Sequence, residues 1–218
     1  MGINLGILLG ICSSLICWVT GVVVFRRLPT TFRLLVIHAF LACSIDILGV
    51  ILVRAYGYHN NQGIFNFYMP FDFLLMLFAA RIGFGKHFRL FSIIGISIFA
   101  VSWLLSLSIN GPKQFANQAL IVCAIVLTIA YFMVLLRNVH EERSHHTTGI
   151  YCISVSVMLY YCCTIPHFGL IHYFSNGELK LAGYYVNDAL SVLRYIFTAI
   201  GLVYLSRPVT KSAVHAYQ

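Results

Sequence analysis

Residues 117–137 read NQALIVCAIVLTIAYFMVLLR. The stretch carries one charge, at its last position. At about 1.5 Å per residue it makes a helix of roughly 30 Å, the thickness of a bilayer's hydrocarbon core. A helix apolar on every side cannot be the surface helix of a water-soluble domain. The same pattern recurs along the chain. Spans of this kind cover roughly 3–25, 34–53, 67–84, 90–108, 117–137, 150–174 and 184–206, each near the ~20 residues that a crossing requires. In lipid the backbone must satisfy its own hydrogen bonds, which a helix does within each segment. The expected fold is therefore all-α: a single domain, residues 1–218, forming a seven-transmembrane-helix bundle.

Composition agrees. Of the 218 residues, 60% are hydrophobic and 9% charged, and the mean hydropathy is +0.88. A soluble domain carries about 25% charged residues, so too few charges remain here to coat a watery surface. The formal charge of +8 is spread over short stretches between apolar runs. A nucleic-acid footprint would instead cluster on one element, so no nucleic-acid partner is expected.

The cations set an orientation. Arg26, Arg27, Arg33, Arg81, Lys86, Arg89, Arg137, Arg143, Arg207 and Lys211 fall on one side of the alternating spans. Arg54, Lys113 and Lys180 fall on the other, and Arg194 lies inside the last span. Ten cations against three place the N-terminus outside and the C-terminus in the cytoplasm. Tyr56, Tyr58, Tyr68, Tyr173, Tyr184 and Tyr185 then form an outer aromatic belt. The N-terminal stretch has no basic n-region, so the first segment reads as a retained helix. The connections between spans are too short for a soluble domain. A receptor built this way needs a separate cytoplasmic partner. The charged connection HEERSHH, residues 140–146, reads as a solvated turn or a docking surface for it.

Against this background the stretch Asn66–Leu75, NFYMPFDFLL, is unusual, because it sets Pro70 and Asp72 in an apolar run. With a span starting near 67, Pro70 belongs to a first helical turn, where its missing N–H costs nothing. Asp72 then meets the positive end of the helix dipole near the outer face. Asp188 follows Tyr184 as Asp72 follows Tyr68, a weak repeat. Asp46 and Arg194 lie deeper, and each alone would cost several kcal/mol at the bilayer centre. Their depths match, so they are expected to pair or to share a hydrated cavity. His38, near the inner end of the second span, and Arg81, which can snorkel, attract no role.

The sixth span contains TIPHFGLIHYF, in which Pro166 is expected to loosen the helix. His167 and His172 are five residues apart, a poor spacing for two ligands on one face. Both read as hydrogen-bonded or interfacial histidines, and no metal is assigned. Asp46, Asp72, His167, His172, Asp188 and Arg194 thus form the candidate ligand or ion pocket, open to the outside.

The seven cysteines all lie in apolar runs without a C-x-x-C pair, so they read as reduced, buried residues. The last span has no lysine for a retinal Schiff base. H-E-x-x-H and G-x-S-x-G are missing. No catalytic residue and no cofactor is assigned, and an intramembrane enzyme ranks last among the readings. The first is a sensor or receptor-like protein binding a small ligand or ion. The second is a transporter or channel for a solute, ion or proton.

NNQGIFNFYMPFDFLLM and YYVNDALSVLRYIF together resemble stretches of a group of small bacterial seven-helix inner-membrane proteins without an assigned activity. The resemblance implies a bacterial inner membrane. It covers under a fifth of the chain, and the third-span acid is Asp where the group carries Glu.

Overall fold

The computed structural model describes residues 5–55, 62–112, 114–138, 145–170 and 177–207. Of residues 85, 167–170 and 177–184 it describes the backbone only. Among these residues seven α-helices run in order: α1 Leu5–Val24, α2 Thr30–Ala55, α3 Gln62–Ala79, α4 Phe88–Asn110, α5 Asn117–Asn138, α6 His145–Leu170 and α7 Gly177–Leu205. Short 3₁₀ turns end α1 at Phe25–Arg27 and α3 at Ala80–Gly83, and another, Gly85–His87, leads into α4. All seven helices are long and apolar enough to cross a membrane.

The helices form a ring. Going round it, α1 packs on α2, α2 on α3, α3 on α5, α5 on α6, α6 on α7, and α7 closes back on α1. Helix α4 stands outside the ring against α5. It reaches α3 through the stacked rings of Phe73 and Phe99, 4.3 Å apart. The residues facing the ring axis are buried, whereas large apolar side chains such as Leu90, Val23 and Ile109 point outward. That inversion suits a bundle whose outer solvent is lipid.

Small residues set the closest approach. A Cβ on Gly149 would come within 2.7 Å of the Gly201 carbonyl, and one on Gly201 within 2.8 Å of the Gly149 carbonyl. Apolar helices in lipid gain little from burying carbon, so such backbone proximity is how α6 and α7 hold together.

Helix α3 begins at Gln62, five residues before the expected 67, and this changes two readings. Pro70 lies inside the helix, not in its first turn. Its ring removes the N–H that would bond the Asn66 carbonyl. The indole Nε1–H of Trp103 on α4 donates to that carbonyl instead, at 3.1 Å. The Asn66 side chain is a hub as well. Its Nδ2 donates to the carbonyls of Pro112 (3.1 Å) and Gln114 (2.6 Å), and its Oδ1 accepts from the Ala116 N–H at 2.9 Å. One asparagine thereby ties the α4–α5 connection to α3. Asp72 is likewise not near the helix start: ten residues past Gln62 it lies about 15 Å along α3.

At the other end, Arg33 closes the α1–α2 turn by donating through Nε to the Leu28 carbonyl at 3.1 Å. Arg137 donates to the Ile82 carbonyl at 3.0 Å and caps the end of α3. Helix α6 continues through Pro166 to Leu170.

Candidate functional site

Helix α2 carries His38 eight residues past Thr30, about 12 Å from its start. Helix α3 brings Asp72 to the same level from the opposite direction. His38 Nε2 lies 2.5 Å from Asp72 Oδ1. An ionised carboxylate only accepts, so the imidazole donates. Both groups are buried, at 3% and 8% exposure. Tyr68, one turn before Asp72 on the same face, donates its hydroxyl to Oδ1 at 3.4 Å. Tyr161 of α6 donates to Oδ2 at 2.9 Å. Both carboxylate oxygens are thus occupied by donors from three helices.

Tyr161 also links the acid to a cation. Its hydroxyl oxygen accepts from Arg194 Nη1 at 3.3 Å, while Arg194 Nη2 donates to the Tyr195 hydroxyl at 2.9 Å. The guanidinium lies 4.0 Å from the Tyr160 ring centre and 4.7 Å from that of Tyr195. The His38 ring stacks against Tyr195, 6.1 Å between centres. Arg194 is 6% exposed, and its Nε has no partner.

These contacts account for a charge in the membrane interior. A lone arginine at the bilayer centre costs several kcal/mol. Desolvated cation–π contacts contribute about 2 kcal/mol each, and hydrogen bonds to charged groups about 1.5–3 kcal/mol. The aromatic cage and the Tyr161-bridged carboxylate therefore supply stabilisation of the size required. Beside them a cavity of ≈ 10 Å³ is lined by Cys17, Leu35, His38, Met76, Arg194, Tyr195 and Thr198. That is about the smallest cavity able to hold one water.

The expected Asp46–Arg194 ion pair does not form. Among the described residues His38–Asp72 is the ion pair within 4.0 Å, and the amino groups of Arg194 go to tyrosines. Asp46 lies eight residues beyond His38 on α2, about 12 Å toward the end where α1 begins. It is half-buried and sits in the electrostatic field of Arg194 and of Asp188. Asp188 lies at that end too. Its carboxylate packs on the first turn of α1, where a Cβ on Gly6 would collide with Asp188 Oδ2. Carboxylates are stabilised beside the free N–H groups of a helix start. Asp72 and Asp188 are therefore not equivalent: one is buried in the ring, the other serves a neighbouring helix's end.

His167 is on α6, but its side chain is outside the described residues, as is all of His172. Residues 139–144 of the charged connection also fall outside them. His145 starts α6 and stacks on Tyr204, 6.1 Å between centres. Tyr68, assigned to the outer belt, turns inward to Asp72, whereas Tyr185 is exposed. Among the described residues no three His, Cys, Asp or Glu gather closely enough for a metal ion.

Sequence reasoning missed His38, Tyr160, Tyr161 and Tyr195. For His38 a signal was available: in LLVIHAF an ionisable group sits inside an apolar run, the same criterion that singled out Asp46. The tyrosines carry no such mark, because tyrosine is common at membrane boundaries.

No protein-family model, curated protein or solved structure matches this chain.

Proposed function

We propose that this is a membrane-embedded sensor whose ligand is a proton, taken up at the His38–Asp72 pair and read out as a shift between helices. One observation carries the reading. A histidine and an acid are buried together, joined through Tyr161 to Arg194, on four different helices, beside room for about one water. An organic ligand does not fit there, whereas a proton does. Histidine is the side chain type that changes charge between pH 5 and 8. Asp72 and Arg194 cancel each other while His38 is unprotonated, so taking up a proton leaves a net positive charge in a low-dielectric ring, and the ring must repack to accommodate it.

The basic end of the bundle, with Arg26, Arg27, Arg81, Lys86, Arg89, Arg137 and Arg207 all exposed, faces the cytoplasm in this proposal. A separate protein there receives the shift. The host is a bacterial inner membrane, as the resemblance of the two stretches suggests. A second reading, a proton transporter or channel, is favoured by the mid-membrane chain Arg194–Tyr161–Asp72–His38 itself.

The test uses the two tryptophans. Trp18 on α1 packs against Phe40 of α2, 5.3 Å between centres, and Trp103 bonds to α3. In purified protein, tryptophan fluorescence is expected to change with pH, and the change to be abolished in His38→Gln and Asp72→Asn. A flat profile in the unsubstituted chain rejects the sensor. Proton flux through sealed vesicles, lost in Asp72→Asn, would select the transporter instead.

A further inference from the structure

The cavity beside the cage lies on the basic-end side of the His38–Asp72 pair. Its wall includes Leu35, three residues before His38 on α2, Met76, four past Asp72 on α3, and Thr198, four past Arg194 on α7. Each stands about 4.5–6 Å closer to the basic end than the group it follows or precedes. Cys17 of α1 and Tyr195 complete the wall with His38 and Arg194 themselves. A space of ≈ 10 Å³ admits one water and no larger ligand.

Of the residues lining it, only Arg194 carries a buried side-chain nitrogen or oxygen with no partner. Its Nη1 and Nη2 donate to Tyr161 and Tyr195, which leaves Nε. The other such atoms among the described residues belong to Ser106, Ser154 and Asn187, none of which lines this cavity. A buried unpaired donor costs about 1–3 kcal/mol, and native proteins commonly satisfy one with ordered water. A buried water in turn needs about two to four polar partners. Besides the Arg194 guanidinium, the His38 imidazole, the hydroxyl-bearing Thr198 and Tyr195 and the thiol-bearing Cys17 border the same space.

We infer that the cavity is a binding site for one ordered water, that this water accepts the Nε–H of Arg194, and that it passes the charge state of His38 on α2 to Arg194 on α7. This rests on the proton-sensor reading and adds how the signal leaves the pair. When His38 takes up a proton, a positive charge appears at the cavity wall. The water oxygen is then drawn to two positive groups at once, its bond from Nε weakens, and the guanidinium shifts within its aromatic cage. The titratable and charged groups around His38 come from every ring helix. Cys17 faces it from α1, Asp72 and Tyr68 from α3, and Cys123 and Tyr131 from α5. Tyr160 and Tyr161 face it from α6, and Arg194 and Tyr195 from α7, while Asp46 lies on its own helix. Of these, Cys17, Arg194 and Tyr195 line the cavity with His38, and histidine is the type among them that changes charge near neutral pH.

The experiment is NMR on the purified full chain in detergent, with the arginine side-chain nitrogens isotope-labelled. The Arg194 Nε–H resonance is identified by its absence from Arg194→Lys. It is expected to show a cross-peak to a water held longer than bulk solvent, and to shift with pH, the shift being lost in His38→Gln. Cys17→Val, which adds a methyl group's bulk to the wall, is expected to lose both the cross-peak and the pH shift. Thr198→Val, which keeps the size of the wall and removes a hydroxyl, is expected to weaken the cross-peak. No water contact at this Nε–H in the unsubstituted chain overturns the site. A pH shift that survives in Cys17→Val after the cross-peak is lost overturns the coupling. In both cases, tryptophan fluorescence that still changes with pH and requires His38 leaves the sensor intact. Flat fluorescence removes the sensor and, with it, the role of the water.

Discussion

Tyr161 is the residue on which the two buried charges depend. It donates to Asp72 and accepts from Arg194, so Tyr161→Phe removes two hydrogen bonds to charged groups at once. At about 1.5–3 kcal/mol each before relaxation, a loss of roughly 3 kcal/mol in folding stability is expected, measurable by thermal or denaturant unfolding in detergent. Arg194→Gln costs more, because Asp72 then lacks its balancing charge. Combining it with Asp72→Asn is expected to recover part of the loss, with a coupling of about 1–3 kcal/mol in a double-mutant cycle. The corresponding Asp46→Asn cycle should show a smaller coupling, because Asp46 feels Arg194 without touching it. A larger coupling at Asp46 than at Asp72 would contradict the geometry. Arg194→Lys does not substitute, since an ammonium lacks the planar face that lies over Tyr160.

At the scale of elements, Pro70 and Trp103 act as a pair. The proline frees a carbonyl, and an indole on another helix takes it up. Trp103→Phe is expected to destabilise by about 1–3 kcal/mol, the cost of an orphaned buried carbonyl. In a Pro70→Ala background, where residue 70 regains its N–H, the same substitution should cost clearly less. Additive losses in that cycle would show that the indole matters for its bulk alone. Asn66→Ala orphans three groups of the α4–α5 connection and should exceed either. Helices α6 and α7 present a different dependence. Gly201→Val would push a side chain into Ile153 and the Gly149 backbone. Because α6 holds Tyr161 and α7 holds Arg194, that separation is expected to abolish the pH-dependent fluorescence even where the protein still folds.

At the scale of the whole molecule, six of the seven helices among the described residues close into a ring, and none of the described residues of α4, which stands outside it, joins the charge cluster. The number and approximate position of the helices could be read from residues 117–137 and their six counterparts. Lipid makes a local demand: about 20 apolar residues with every backbone hydrogen bond inside the segment. Boundaries were less legible. Gln62, Gly63 and Asn66 look like a connection, yet Asn66 is buried and bonded, so α3 starts early and Asp72 moves from its rim to its interior. Asp72 and Arg194 were recognisable as costly groups, but their partners were not. Which tyrosine meets which charge depends on which helices are neighbours and how each is rotated.

Sequence alone determined that the chain is built of segments apolar enough for lipid and how many of them are long enough to cross it, because both follow from the composition of contiguous segments. Only the tertiary structure decided that His38 rather than Asp46 joins the buried acid, and that tyrosines rather than a carboxylate hold the arginine. Those outcomes arise from side chains far apart in the chain, brought face to face by packing of small residues between helices. Hydropathy along a single segment carries no information about such an arrangement.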